Sequence, residues 1–303
     1  MRIESTVRGL DAGRAAARTT TRAAAALAAA LLLAPASAFA QAAPQADTLA
    51  RLVSGKSITL GVRTDAVPFS YLDPMGKPAG FSWTLCQAVV QQLAAELKTP
   101  LAVKFVPVSL DESFSQLRQG AIDLHCGATA HTAERARQVD FSDTFYVSRV
   151  VAAHRAGDAA FASPRAFGRT GVLAGSTAER LMKTYAVQKA STLTLGPLTP
   201  LASYAEGAKL LKSGAIDTLV ADEVLMPKDA AIAVRREQLT IEPYALVLRK
   251  GDAAFGAAID RALRKVLGGA QGKALADAAG VKVDAMTQDA WRKPSKHPAP
   301  PVL

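Results

Sequence analysis

Five side chains that could carry chemistry lie within eleven residues, in the segment HCGATAHTAER (125–135). His125, Cys126, His131 and Glu134 could act as metal ligands or as a nucleophile with its base, and Arg135 could bind an anion. The two histidines are six residues apart, whereas zinc sites usually contain closely spaced pairs of ligands. A cysteine nucleophile would also need a third, orienting group, and none is apparent. We therefore expect no metal, cofactor or catalytic residue here. The interpretation that we favour is anion binding by Arg135.

The same segment belongs to a short internal repeat. LRQGAIDLHCGAT (117–129) and LKSGAIDTLVADE (211–223) share Leu, a basic residue, Gly, Ala, Ile and Asp in one register. Each is typical of a helix end, a glycine in the left-handed conformation, and a strand. Chance similarity of so short a match is the alternative. We interpret the repeat as corresponding positions in two α/β lobes.

Opposite charges follow the two repeated strands. Ligands of open α/β sheets bind beyond the carboxyl ends of the strands. Thr129, Thr132 and Arg135 follow the first strand, and Asp222 and Glu223 follow the second. If they face each other across a cleft, these groups suit a zwitterion with a carboxylate and an ammonium group.

The elements that must position these residues show a regular alternation. SITLGV (57–62), LAVKFVPV (101–108) and AIDLHCG (121–127) have the apolar character of strands, and in the third of them His125 and Cys126 should point to opposite faces. Leu85, Val89, Leu93 and Leu97 recur every four residues and predict a helix over 83–98, and a second helix is expected over 112–119. This alternation predicts a parallel sheet.

Farther along, Ser176-x-x-Glu179 predicts a capping box that begins a helix, whose N-terminus could also receive an anion.

Composition limits the class of protein. Residues 1–40 contain five arginines, the apolar run AAAALAAALLLA and the segment ASAFA, which together predict a secretory signal peptide cut after Ala40, with an uncleaved anchor as the alternative. Without these residues the formal charge falls from +10 to about +7, and it is scattered rather than gathered in a stripe with aromatic residues, so nucleic-acid binding is not expected. Export would place Cys86 and Cys126 in an oxidising compartment, where they form either one disulfide or two buried thiols.

Four stretches resemble the family 3 extracellular solute-binding proteins, the periplasmic components of amino-acid ABC importers. They are VPFSYLDPMGKPAGFSWTL (67–85), LRQGAIDLHCGATAHTAERARQVDFSDTFYVS (117–148), GVLAGSTAERL (171–181) and YALVLRKGD (244–252). The resemblance covers about residues 50–285 and is greatest to the glutamate/aspartate-binding branch. It implies an α/β, periplasmic binding protein-like fold, with two α/β lobes joined by a two-crossing hinge and the ligand cleft between them.

The resemblance also implies a set of ligand-binding residues. Arg135 would bind the α-carboxylate with help from Thr129, and Asp222 would take the α-ammonium. Ser176 and Thr177 match the helix start that contacts the ligand, and Phe69 lies in the matching VPFSY motif. In the acidic-ligand branch, the residue that matches Arg63 reaches the side-chain carboxylate.

Two departures affect the expected ligand. Ser113 stands where the glutamate/aspartate branch has a second arginine, and Tyr204 stands where it has a histidine. Half of the acidic side-chain recognition is thus missing, so a neutral polar ligand is as well supported as an acidic one.

The resemblance further implies an organisation and its partners. The signal peptide would span 1–40, the first lobe 41–150 plus 243–290, the second lobe 151–242, and a flexible tail 291–303, with hinge crossings near 150–154 and 241–246. The expected protein is a periplasmic monomer that gives its amino acid to an ABC permease in the inner membrane, with Cys86 and Cys126 bridged. A competing hypothesis is a cyclohexadienyl or arogenate dehydratase-like enzyme on the same scaffold, with His131, Glu134 and Glu223 as acids or bases. A third, the sensor domain of a kinase or channel, would need membrane-spanning helices.

Overall fold

Residues 47–188 and 192–299 are the part of the chain that the computed structural model describes, so the predicted signal peptide lies outside it. Within this part no helix is long and apolar enough to cross a membrane. The helices are α1 (Thr48–Gly55), α2 (Phe81–Glu96), α3 (Leu110–Gln119), α4 (Thr177–Val187), α5 (Tyr204–Ser213), α6 (Ala253–Leu267), α7 (Ala270–Ala278) and α8 (Ala285–Arg292). The strands are β1 (Ser57–Arg63), β2 (Asp65–Ala66), β3 (Ser70–Leu72), β4 (Pro78–Ala79), β5 (Ala102–Val108), β6 (Leu124–His125), β7 (Val139–Arg155), β8 (Ala166–Leu173), β9 (Thr194–Leu201), β10 (Thr218–Asp222), β11 (Ile232–Val234) and β12 (Thr240–Arg249).

One large sheet carries both groups of parallel strands. Its order is β5-β1-β6-β12-β7-β10-β8-β9, and β11 pairs with β7. Strands β5, β1 and β6 are parallel at one end and define the first lobe, and β10, β8 and β9 are parallel at the other end and define the second. The long antiparallel strands β7 and β12 connect them: β7 pairs with β12 from Val139 to Val150 and with β10 from Val150 to His154.

Helices cover both faces of each lobe, as buried parallel strands require. In the first lobe, α2 buries Leu85, Val89 and Leu93 on the same side as Leu60 of β1, while α3 covers the other face with Leu117. The predicted helix over 83–98 is α2, shifted by two residues. The third predicted strand, 121–127, is shorter than expected, because only Leu124–His125 pairs in the sheet.

The internal repeat has the same structure twice. Gly120 ends α3 at φ 73° and Gly214 ends α5 at φ 77°, which are the left-handed stops that were predicted. Asp123 then accepts the backbone N–H of Thr59 through Oδ2, and Asp217 accepts that of Arg169 through Oδ2. The repeated aspartate thus ties its own strand to the neighbouring parallel strand in each lobe, so the repeat marks corresponding positions.

A disulfide joins Cys86 of α2 to Cys126, the residue after β6. Cys126 therefore faces α2, whereas His125 lies on the opposite face beside Gly61, as the alternation predicted. Both sulfur atoms belong to fully buried residues.

Replacing both cysteines with alanine should lower the free energy of unfolding by about 3–4 kcal/mol, because the bridge closes a loop of about forty residues in the unfolded chain. Guanidinium denaturation monitored by circular dichroism measures this loss. The wild-type protein denatured under reducing conditions is the control, and it should lose a similar amount. A loss below about 1 kcal/mol in both experiments would contradict the prediction.

Residues 293–299 belong to the segment 291–303 that is predicted to be a flexible tail, of which 300–303 lie outside the described residues. The Ser295 carbonyl accepts the N–H of Thr144, Lys296 pairs with the buried carboxylate of Asp260, and the Ala299 N–H donates to the His131 carbonyl. These contacts bind the segment to the first lobe as far as Ala299. The sequence pattern of prolines and lysines gave no sign of them, because none of these partners is local.

Candidate ligand-binding site

Arg135 lies where the two lobes meet. It begins a short 3-10 helix in the first lobe, and only 5% of it is exposed. Its Nη1 donates to the carbonyl of Ala130 and its Nη2 to the carbonyl of Gly175 in the second lobe, each at 3.0 Å. The guanidinium also lies over the ring of Phe114, with Cζ 5.7 Å from the centroid. Among the described residues no carboxylate forms an ion pair with it, so this buried cation can receive an anionic group.

The start of α4 meets Arg135 from the second lobe. Ser176 caps the helix and accepts the N–H of Glu179 at 3.0 Å, but Glu179 accepts the N–H of Gly175 rather than that of Ser176. The predicted capping box is therefore displaced by one residue, because the Ser176 N–H donates to the Leu173 carbonyl. Gly175 has a φ of 72°, and a Cβ there would lie 1.7 Å from Oδ1 of Asp111, so only glycine fits this close approach of the lobes.

Two carboxylates face the same interior region. Asp222 ends β10 opposite Val150 of β7, and Glu242 of β12 pairs with Ser148, so the register places both side chains on one face of the sheet. Asp222 is 6% exposed and Glu242 1%. Oδ1 of Asp222 and Oε2 of Glu242 are buried without a hydrogen-bond partner among the described residues.

The electrostatics of this pair favour a cationic donor. Burial, reinforced by the charge of Glu242, raises the pKa of Asp222 to about 8. Burial also raises the pKa of Glu242, although the hydroxyls of Thr240 and Thr177 oppose the shift. Two buried acceptors without donors are unfavourable, and an ammonium group carries three N–H donors.

Thr129 is held beside this region by a neutral histidine. Its Oγ1 lies 3.2 Å from Nε2 of His125, and both residues are fully buried. Burial lowers the pKa of His125 to about 3, and the charges of Arg63 and Arg135 act in the same direction. His125 therefore stays uncharged and orients the threonine hydroxyl.

Phe69 and Tyr204 complete the surroundings. Phe69 is fully buried and meets Tyr244 edge-on at 5.4 Å between ring centroids, and it meets Tyr146 at 4.8 Å. Tyr204 begins α5, and burial raises its pKa, with Asp222, Arg63, Asp65 and Arg135 all close enough to influence it.

Arg63 does not point to the site as a free cation. It ends β1, is 2% exposed, and donates from Nε and Nη2 to Oδ1 of Asp65 at 3.0 and 2.6 Å. Ser113, where a second arginine would stand, is buried and donates to the Leu110 carbonyl. Of the two arginines assigned to the site, Arg135 is the one without an ion-pair partner within residues 47–188 and 192–299.

Comparison with known proteins identifies the family of this chain. Residues 58–277 match the bacterial extracellular solute-binding proteins, family 3. The chain belongs to this family. The L-glutamate/L-aspartate-binding protein of Pseudomonas aeruginosa is 31% identical over 229 residues, which are 71% of this chain and 74% of that protein. The glutamate/aspartate import solute-binding protein of Escherichia coli is 28% identical over 235 residues, 74% and 77% of the two chains.

A solved structure shares the fold over nearly its full length. The ancestral amino acid-binding protein described as a precursor of cyclohexadienyl dehydratase is 26% identical, with a TM-score of 0.66, and the match covers 77% of this chain and 99% of that one. The names of these relatives denote amino-acid-binding proteins, and that of the Escherichia coli protein also denotes import. The two-lobed α/β fold of the solved structure is the fold of this chain.

In this family 3 chain the three residues considered for catalysis do not come together. His131 stacks on Phe141 at 4.3 Å between centroids, on the side of the tail residue Lys296. Glu134 pairs with Arg180, and Glu223 pairs with Arg149. Each carboxylate is therefore engaged in a partly exposed ion pair rather than aimed at a common point. Within residues 47–188 and 192–299, no group of three or more acidic, histidine or cysteine side chains could hold a metal ion.

Sequence reasoning missed Glu242, Asp65 and the role of His125. Glu242 had a recognisable signal, since a glutamate in the otherwise apolar strand TIEPYALVLR (240–249) must be buried and needs a partner. Asp65 had none, because a carboxylate two residues from an arginine is as often a surface pair.

Proposed function

We propose that this family 3 protein captures a polar or acidic amino acid in the cleft between its lobes and gives it to an ABC permease. The observation that carries the proposal is that two buried groups of opposite kind lack partners within the described part of the chain. They are the Arg135 guanidinium, which has no carboxylate partner, and Oδ1 of Asp222, which has no donor. An α-carboxylate on the first and an α-ammonium on the second would satisfy both. Thr129, Ser176, Thr177 and Phe69 would surround the ligand.

The domain division follows the same proposal. The first lobe would comprise 41–150 plus 243–290 and the second 151–242, with hinge crossings near 150–154 and 241–246. The change of partner along β7 at Val150, from β12 to β10, supports a crossing at this point. In this structure Gly175 already accepts from Arg135 and Glu134 already pairs with Arg180, so an opening of the lobes would break both contacts.

The cellular context is inferred from the family. We infer a periplasmic location after removal of residues 1–40, a monomeric state, an inner-membrane permease as partner, and no binding of nucleic acid. The family and the names of the relatives support a receptor rather than an enzyme.

Calorimetric titration of the purified protein with each of the twenty L-amino acids tests the proposal, after native mass spectrometry has identified any molecule that copurifies. We expect micromolar or tighter binding of at least one polar amino acid. Absence of binding by all twenty would refute the proposal. If the same sample converts prephenate or arogenate, the competing hypothesis of a dehydratase-like enzyme would replace the proposed receptor.

A further inference from the structure

Arg63 and Asp65 form an ion pair at the end of β1. Arg63 is the residue that the family resemblance assigns to a side-chain carboxylate, yet its charge is already matched by Asp65 at 2.6 Å. The pair is largely buried, with 2% and 18% of the two side chains exposed. A buried pair of this kind keeps its geometry, because separating the partners would leave uncompensated charges.

The pair leaves one donor and one acceptor unused. Both hydrogen bonds from Arg63 end on Oδ1 of Asp65, so Oδ2 can accept another. Among the described residues, Nη1 of Arg63 donates to no protein acceptor. Both residues line a cavity of about 230 Å³, together with Ser109 and Asp111 from the first lobe and Leu173 and Leu201 from the second.

The charges of the site exclude a second anionic group on the ligand. With a zwitterion bound, Arg135 is matched by the α-carboxylate, Asp222 by the α-ammonium, and Arg63 by Asp65. Glu242 stays hydrogen-bonded to the Thr240 hydroxyl, and Asp111 adds negative charge to the cavity. A side-chain carboxylate would find neither guanidinium free, and an unpaired buried charge is strongly unfavourable.

We propose that Asp65 sets the side-chain specificity of the cleft: by neutralising Arg63 it excludes acidic ligands and selects an amino acid with an uncharged carboxamide side chain. The carboxamide oxygen accepts from Nη1 of Arg63, and its N–H donates to Oδ2 of Asp65. This inference rests on the proposed function and narrows its ligand class. It assigns Asp65 as a specificity-determining residue.

Calorimetric titration of the wild type and of Asp65→Asn tests it, with glutamine, asparagine, glutamate, aspartate and arginine as ligands. The wild type should bind the better amide at least tenfold more tightly than either acid. In Asp65→Asn the side chain keeps its shape and still accepts from Arg63, but the cation is no longer neutralised. The ratio of acid to amide affinity should therefore rise by at least tenfold. Asp277→Asn, which alters an exposed acid of α7 paired with Lys273, is the matched control and should leave the ratio unchanged.

The outcomes separate this inference from the proposed function. Tighter binding of acidic or basic amino acids than of amides by the wild type would overturn the inference and leave an amino-acid receptor. If the ratio of acid to amide affinity is unchanged in Asp65→Asn, Asp65 does not determine the side-chain specificity. If none of the twenty amino acids binds the wild type, the proposed function fails and the inference fails with it.

Discussion

Replacing Arg135 with alanine should weaken binding of the preferred amino acid by roughly 30-fold to 3,000-fold, as expected when one partner of a buried charge pair is removed. The guanidinium is the one unpaired cation that the described residues place at the meeting of the lobes, and its two donors to Ala130 and Gly175 hold it in a fixed plane. The ligand carboxylate would lose its counter-charge in a region closed to water. Titration calorimetry measures the change.

Two further variants serve as controls. Arg135→Lys separates the effect of charge from that of side-chain shape, and Arg118→Ala reports any effect of removing an arginine outside the site. Lysine keeps the charge but lacks the planar fork, so it should recover only part of the affinity. Arg118 is an exposed arginine of α3 that contacts Gln138, and its replacement should leave affinity unchanged. If Arg135→Ala binds as tightly as the wild type while its melting temperature is unaltered, the ligand carboxylate lies elsewhere.

Replacing Asp222 with asparagine should reduce affinity by a comparable factor and also change how binding depends on pH. The pKa of Asp222 is raised to about 8, so the free protein holds a proton near pH 7 that the ligand ammonium must displace. Binding should therefore release close to one proton, and affinity should rise with pH up to about 8. Titrations in two buffers of different ionisation enthalpy give the number of protons released.

The raised pKa of Asp222 also determines how the stability of the unliganded protein changes with pH. Because the folded pKa lies above that of the unfolded chain, this carboxyl group stabilises the unliganded protein fully only below the ordinary carboxyl pKa. Its contribution is lost as pH rises through about 8. Asp222→Asn should release no proton and should lose less stability toward alkaline pH. Glu223→Gln, which changes the adjacent exposed carboxylate, should behave as the wild type; equal proton release by Asp222→Asn would show that another group titrates.

Local sequence signals predicted several elements of the fold around the candidate site. The apolar residues at every fourth position predicted α2, and the repeated glycines predicted the ends of α3 and α5. These features depend on residues close in sequence, whose conformational preferences act before any tertiary contact forms.

The rest depends on contacts that sequence spacing does not encode. Asp65 matters because the turn after β1 places its carboxylate against Arg63, and Glu242 matters because β12 pairs with β7 at one register and not the next. His131 lies only four residues from Arg135, yet it packs on Phe141 on another side of the loop. The contacts of residues 295–299 are also remote in sequence, since Ser295 and Ala299 meet partners more than 150 residues away and Lys296 meets Asp260.

The docked tail offers a position for an optical reporter of ligand binding. Ala299 pairs with Thr132, whose hydroxyl accepts the backbone N–H of Arg135, so Ala299 is two contacts from the residue proposed to bind the ligand carboxylate. Both native cysteines are consumed by the disulfide, so a cysteine introduced by Ala299→Cys would be the single reactive thiol for a fluorescent dye. Ala299 also lines a cavity with Thr177 and Glu242, so we expect the emission of a dye at this position to change when the proposed amino acid binds.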